Sequence, residues 1–81
     1  MSGQIEVGVL VLHRMLEGDD PLSGGRAHET TSGKSFYTIV PWDACGIIVA
    51  LLENDACEVL WSTGDATVSP FFLLSLPQEL P

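Results

Sequence analysis

Residues 45–69 read CGIIVALLENDACEVLWSTGDATVS. An apolar run, an Asn-Asp pair, a second apolar run, a Thr-Gly pair and a short alternating run follow one another. That order predicts a three-stranded antiparallel meander. With Asn54-Asp55 as a two-residue turn, Leu52 stands opposite Cys57, Ala50 opposite Val59 and Ile48 opposite Trp61. Cys57, Val59 and Trp61 then share a core face with Ile48, Ala50 and Leu52. Leu60, Ile47, Val49 and Leu51 occupy the other face, beside Glu58 and Ser62. A hairpin apolar on both faces predicts a sheet that curls over itself, or one face given to a partner. A helix over 43–54, capped by Asp43, is the rival reading. Gly46 and the β-branched Ile47, Ile48 and Val49 oppose it.

The predicted strands continue on either side. Residues 4–13, QIEVGVLVLH, read as the first strand, with Gly8 marking a bend or bulge. Residues 35–40, SFYTIV, read as a short strand that Pro41 ends or places at an edge. After the Thr63-Gly64 turn, residues 65–69 are the third strand of the meander. Pro70-Phe71-Phe72-Leu73 is too short for an ordinary helix and reads as a 3₁₀ turn, with one of the two Phe in the core and the other exposed. Residues 74–76 make a last short strand and 77–81 a tail.

Between the first two strands, residues 14–34 form a long Gly-rich excursion, or an irregular hairpin. Gly18-Asp19-Asp20-Pro21 and Ser23-Gly24-Gly25 are turn signals. Structureless segments of this length are uncommon inside a small domain and are often binding elements. Asp19, Asp20, Leu22, Arg26 and His28 are therefore candidate partner contacts, together with Trp42 and Phe72.

The chain has 81 residues, read as one domain, of which 46% are hydrophobic. So small a domain cannot hide that much apolar surface, which points to burial against another subunit. Eleven acidic residues against three basic ones give a net charge of −8. Direct binding to nucleic acid and to anionic membranes is disfavoured, since both need Lys and Arg. The acidity serves solubility, or it imitates nucleic acid toward a basic partner. The longest apolar run, residues 47–52, is far short of the roughly 18 residues of a membrane span. MSGQIEVG has no basic region ahead of an apolar core, so no secretory signal is read there. In the predicted register Cys45 lies far from Cys57, whereas a disulfide needs Cα atoms within about 7 Å. Two buried thiols are expected.

Five strands, a long first loop, a tight meander, a 3₁₀ turn and a closing strand resemble a small SH3-like β-barrel. Gly46-Ile47-Ile48-Val49, then 57–64 (CEVLWSTG), then Leu74-Ser75-Leu76 resemble a pattern found in small proteins of tailed bacteriophages. That pattern is a glycine-led strand, a V-L-W-S-x-G hairpin and a leucine-rich closing strand. The likeness covers about the last forty residues; the loop over 14–34 departs from it. It implies an SH3-like fold and a phage setting, and carries no catalytic residues. Trp61 reads as a core anchor, and Gly46 and Gly64 as backbone requirements.

The chemistry-bearing residues fit no catalytic or metal pattern. His13, His28, Cys45 and Cys57 lack the paired spacing of a zinc site. Glu17, Asp19 and Asp20 lack the rhythm of a calcium loop. Residues 23–25 and 32–34 lack the frame of a phosphate loop, and no nucleophile turn is present. No enzyme activity, metal or cofactor is expected. The expected function is a structural or assembly protein of a phage virion, decorating a capsid or sitting in the neck or tail. Its partners would be protein subunits, identical or different, and its place the virion or the host cytoplasm. The alternative is an acidic inhibitor acting through Glu17, Asp19, Asp20, Asp43, Glu53, Asp55, Glu58 and Asp65. A peptide-binding SH3 module is disfavoured, because its groove needs aromatic residues and the chain has a single Tyr.

Overall fold

Alternating buried and exposed residues build seven strands in a computed structural model that describes residues 5–31 and 36–77. They are β1 (Leu10–His13), β2 (Gly25–Thr30), β3 (Tyr37–Pro41), β4 (Cys45–Leu52), β5 (Ala56–Trp61), β6 (Ala66–Pro70) and β7 (Leu74–Ser75). They form one antiparallel sheet in the order β3-β2-β6-β5-β4-β1-β7. Two 3₁₀ turns, Pro21–Ser23 and Phe71–Leu73, complete the described elements. The fold is all-β as expected. The expectation of a five-stranded closed barrel is corrected on both counts: there are seven strands, and no ladder joins β7 to β3 among the described residues. The sheet nevertheless rolls, since Val11 of β1, Val40 of β3, Ile48 of β4, Trp61 of β5 and Leu74 of β7 share one buried cluster.

The meander forms where the alternation placed it, but its register differs. Leu52 pairs with Ala56, so the loop has three residues, with Asn54 (φ 63°) and Asp55 (φ 56°) both left-handed. A bulge then shifts the ladder between Ile48 and Ala50, so Ile48 pairs with Val59 and Gly46 with Trp61. Each departure slips the register by one residue, and two slips restore the original face. Ile48, Cys57, Val59 and Trp61 are therefore buried as expected. Between bulge and loop only one slip applies: Ala50 stands opposite Glu58, and Leu52 stays exposed instead of joining the core.

The first strand is shorter than 4–13. Val7-Gly8 makes a turn with Gly8 at φ 91°, and pairing starts at Leu10; Gln4 lies outside the described residues. The excursion over 14–34 is not structureless. Its second half is β2, paired along five residues with β3 and along two with β6. Residues 32–35, which hold the Ser-Gly-Lys sequence and the predicted start of the 35–40 strand, lie outside the described residues, as do 78–81 of the tail. β3 is an edge strand ending at Pro41, as the missing N–H requires. Phe71 packs on the core and Phe72 is exposed.

β4 approaches β5 closely at Gly46. A Cβ there would lie 2.6 Å from Val59 Cγ1, 2.9 Å from the Leu60 carbonyl oxygen and 3.0 Å from Trp61 Cε3. The Leu60 carbonyl belongs to the ladder and cannot yield. Gly46→Ala is expected to lower stability by about 1–3 kcal/mol, measured by urea unfolding. An unchanged midpoint would mean that the two strands are looser than this packing.

Candidate functional site

Two places on the sheet carry the residues of interest. The first is inside. Trp61 Nε1–H donates to Thr67 Oγ1 at 2.7 Å, and Thr67 Oγ1 lies 2.8 Å from Ser69 Oγ. Ser69 Oγ lies 3.3 Å from His28 Nδ1, His28 Nε2 lies 2.9 Å from His13 Nε2, and His13 Nδ1 lies 2.9 Å from the Pro41 carbonyl oxygen. All of these side chains are buried except that of Pro41. The ends fix the direction of the chain, because an indole N–H only donates and a carbonyl only accepts. With both imidazoles neutral, His13 carries its proton on Nδ1 and accepts at Nε2. His28 carries its proton on Nε2 and accepts from Ser69 at Nδ1. Every donor then has one acceptor.

Aromatic and charged groups cover the pair. Trp42 stacks on His13 at 5.3 Å between ring centroids and 14° between planes, and Trp61 meets His13 edge-on at 5.4 Å. The Arg26 guanidinium lies over Trp42, 5.5 Å from its centroid, and pairs with Asp19. Trp42 Nε1–H donates to the Asp20 carbonyl at 3.1 Å, and the Asp20 carboxylate caps the Pro21–Ser23 turn through Leu22 N–H at 2.9 Å. Burial holds His28 down to about 4, with the neighbouring His13 and Arg26 adding to it and a hydrogen bond to the Val68 backbone opposing. Burial also lowers His13, against the opposing pull of the Pro41 carbonyl. Burial raises the Cys57 thiol to about 11, which makes it a poor nucleophile. Cys45 is only partly buried, contrary to expectation, and neither cysteine forms a disulfide.

Asp19, Asp20, Arg26, His28 and Trp42 thus come together around His13, with Asp20 exposed, His28 buried and the other three half-buried. Leu22 is bare, at 92% exposure. Phe72 sits on the turn between β6 and β7, outside the cluster. His13 is the member that sequence reasoning did not choose. Among the described residues no third His, Cys, Asp or Glu joins the two imidazoles, and a zinc centre takes three or four protein ligands.

The second place is the outer face of β1, β4 and β5. Leu10 pairs with Ile47 and Ile47 with Leu60, so the three stand in one row across three strands. Each is about half exposed, at 48%, 48% and 46%. Val49 and Leu51 are also exposed further along β4. An open groove of about 240 Å³ runs beside the row, its walls completed by Cys45, Gly46, Trp61 and Ser62. The double-sided apolar hairpin is thereby confirmed, with one side in the core and the other bare. No helix is long and apolar enough to cross a membrane among the described residues.

No protein-family model, curated protein or solved structure matches the chain.

The buried hydrogen-bond chain has a measurable cost if cut. Thr67→Val keeps the shape and leaves the Trp61 indole N–H without an acceptor. It is expected to destabilise the fold by about 1–3 kcal/mol, read by thermal or urea unfolding. A loss below a few tenths would mean that the indole finds another partner.

Proposed function

We propose that this protein is a non-enzymatic assembly subunit that docks on neighbouring protein through the Leu10–Ile47–Leu60 row. The observation that carries the reading is that row: three half-exposed aliphatic side chains in register on adjacent strands, without a charge among them. An aliphatic row of this kind on a small domain gains by removal from water, by about 25 cal/mol per Å² of apolar surface. The likeness of 46–49, 57–64 and 74–76 to small SH3-like proteins of tailed phages supports a virion component, a capsid decoration or a neck or tail protein. Many copies, each held weakly, would then add up through avidity.

The acidic-inhibitor reading finds less support. Glu53 and Asp55 sit in the β4–β5 loop and Asp65 in the β5–β6 loop, at opposite ends of the meander. Asp19 is paired with Arg26, and Glu58 accepts from Thr31 Oγ1 at 2.8 Å. These carboxylates make no single stripe that would imitate a phosphate backbone.

Leu60→Asp places a charge at one end of the row while leaving the core untouched. It is expected to abolish co-sedimentation with particles from the native source, with an unchanged far-ultraviolet circular dichroism spectrum. Association of the natural protein is expected to survive a rise from about 0.05 to 0.5 M NaCl, which screens charge but not apolar contact. Steep weakening with salt, with Leu60→Asp still bound, would favour the acidic inhibitor instead.

A further inference from the structure

β1 and β2 stand four places apart in the strand order, with β6, β5 and β4 between them. Yet His13 of β1 and His28 of β2 meet at 2.9 Å inside the rolled sheet. We propose that these two imidazoles are an acid-operated latch: neutral, they hold β1 to the β2–β3 pair, and on taking up two protons they part and release β2, β3 and Trp42 from β1.

The geometry sets how many protons the latch accepts. In the neutral state one hydrogen lies between the two Nε2 atoms. The five gaps from the Trp61 indole to the Pro41 carbonyl already hold five hydrogens, so a first added proton puts two donors into one of them. On His28 Nδ1 it faces the Ser69 hydroxyl, which has to turn its hydrogen away and lose that bond while Ser69 Oγ still accepts from Thr67. A second leaves an N–H on each Nε2 at 2.9 Å, two donors and two positive charges face to face with no acceptor between them. The contact then has to open.

β2 joins β6 through two paired residues, Glu29 with Val68 and Thr30 with Thr67, carried one step further by Thr31 N–H to the Ala66 carbonyl, whereas β2 and β3 share five. Thr38 Oγ1 of β3 also donates to Asp65, and Val40 of β3 is fully buried, so the β2–β3 pair turns about its ladder to β6 only by drawing Val40 out of the core. Trp42 follows β3, stacked on His13.

The charged and titratable neighbours come from several elements. Asp19, before the first 3₁₀ turn, favours a proton on His13; Arg26 of β2 opposes one on either ring. Those two are paired with each other and oppose one another at His13, whereas at His28 only Arg26 acts. β5 supplies Trp61 and the neutral Cys57 thiol, β6 the Thr67 and Ser69 hydroxyls, and 41–44 the Trp42 ring and the Pro41 carbonyl. Burial opposes protonation of both rings.

The sign follows from linkage. A histidine ordinarily near 6.5 and held to about 4 in the fold binds more protons unfolded than folded between those values. Its stabilising effect is whole above 6.5 and declines as the pH falls toward 4. For His28 alone the folding constant drops roughly 30-fold between pH 8 and 5.

Nitrogen-15 NMR of the natural protein, titrated from pH 8 to 4, tests the latch. Expected at pH 7.5 are one imidazole protonated on Nδ1 and one on Nε2, neither titrating near 6.5. Near-ultraviolet dichroism of the tryptophans should collapse below about pH 5, before the far-ultraviolet sheet signal is lost. His28→Gln keeps a donor toward His13 and cannot take up a proton. It should hold its near-ultraviolet signal to a pH lower by about one unit, which separates the latch from the titrating carboxylates. Two imidazoles of one tautomer, ordinary titration near 6.5, or collapse of His28→Gln at the pH of the natural protein would overturn the proposal. Should His28→Gln fail to fold, the tautomers and titration of the natural protein decide alone.

Discussion

His13 is where the open ends of the sheet are drawn together. Its backbone N–H donates to the Ala44 carbonyl at 3.0 Å, and it pairs with Leu74 of β7. Its ring reaches the Pro41 carbonyl through Nδ1 and His28 through Nε2, under the Trp42 ring. A sheet whose first and last strands share no ladder must close over its core by other means, or leave that core wet. Here the closing bonds are made by one side chain and by the 41–44 crossing. The rest of the roll, including the burial of Val11 and Val40 at 0% exposure, requires that they hold.

Closing a core with polar groups has consequences that an aliphatic seam would not. Two imidazoles and two hydroxyls sit beneath the surface, each dependent on the next for its partner. A buried chain of this kind is strong when complete and costly when broken, because an orphaned donor in a low-dielectric interior recovers nothing from water. It also ties the two halves to one arrangement: slipping β2 by one residue would turn His28 outward and leave His13 Nε2 and Ser69 without their partner. The polarity fixed by the Trp61 indole at one end and the Pro41 carbonyl at the other extends that constraint across β5, β6, β2, β1 and β3.

The parts of this fold that were legible in the sequence are those whose signal is local. β4, β5 and β6 announce themselves by alternation and by the turn residues between them, and Pro41 marks an edge because it lacks an N–H. The register was less legible, since neither the bulge between Ile48 and Ala50 nor the third loop residue has a residue signature. The inner face near Trp61 was still placed rightly, because two one-residue slips cancel. β2 was missed because GRAHET has no apolar alternation; its one buried side chain is His28, and β3 and β6 supply its structure. Asp19, Arg26 and Trp42 were singled out residue by residue, whereas the cluster that joins them is built around His13. That residue is fifteen positions from His28, and no spacing rule links them.

The outer row and the acidic coat belong to the same physical balance. Of the three basic residues, Arg26 is engaged with Asp19 beneath the loop, so the outer surface is more one-sided than the composition alone implies. Like-charged copies repel wherever their carboxylates meet. Leu10, Ile47 and Leu60 carry no charge and sit mid-strand, away from the β4–β5 and β5–β6 loops where Glu53, Asp55 and Asp65 lie. Approach along the proposed row would gain by desolvation without bringing those loop carboxylates together. A general excess of negative charge thus does not oppose a specific apolar contact; it narrows contact to the uncharged row itself, since Glu58 stands on the same face of β5 two positions from Leu60.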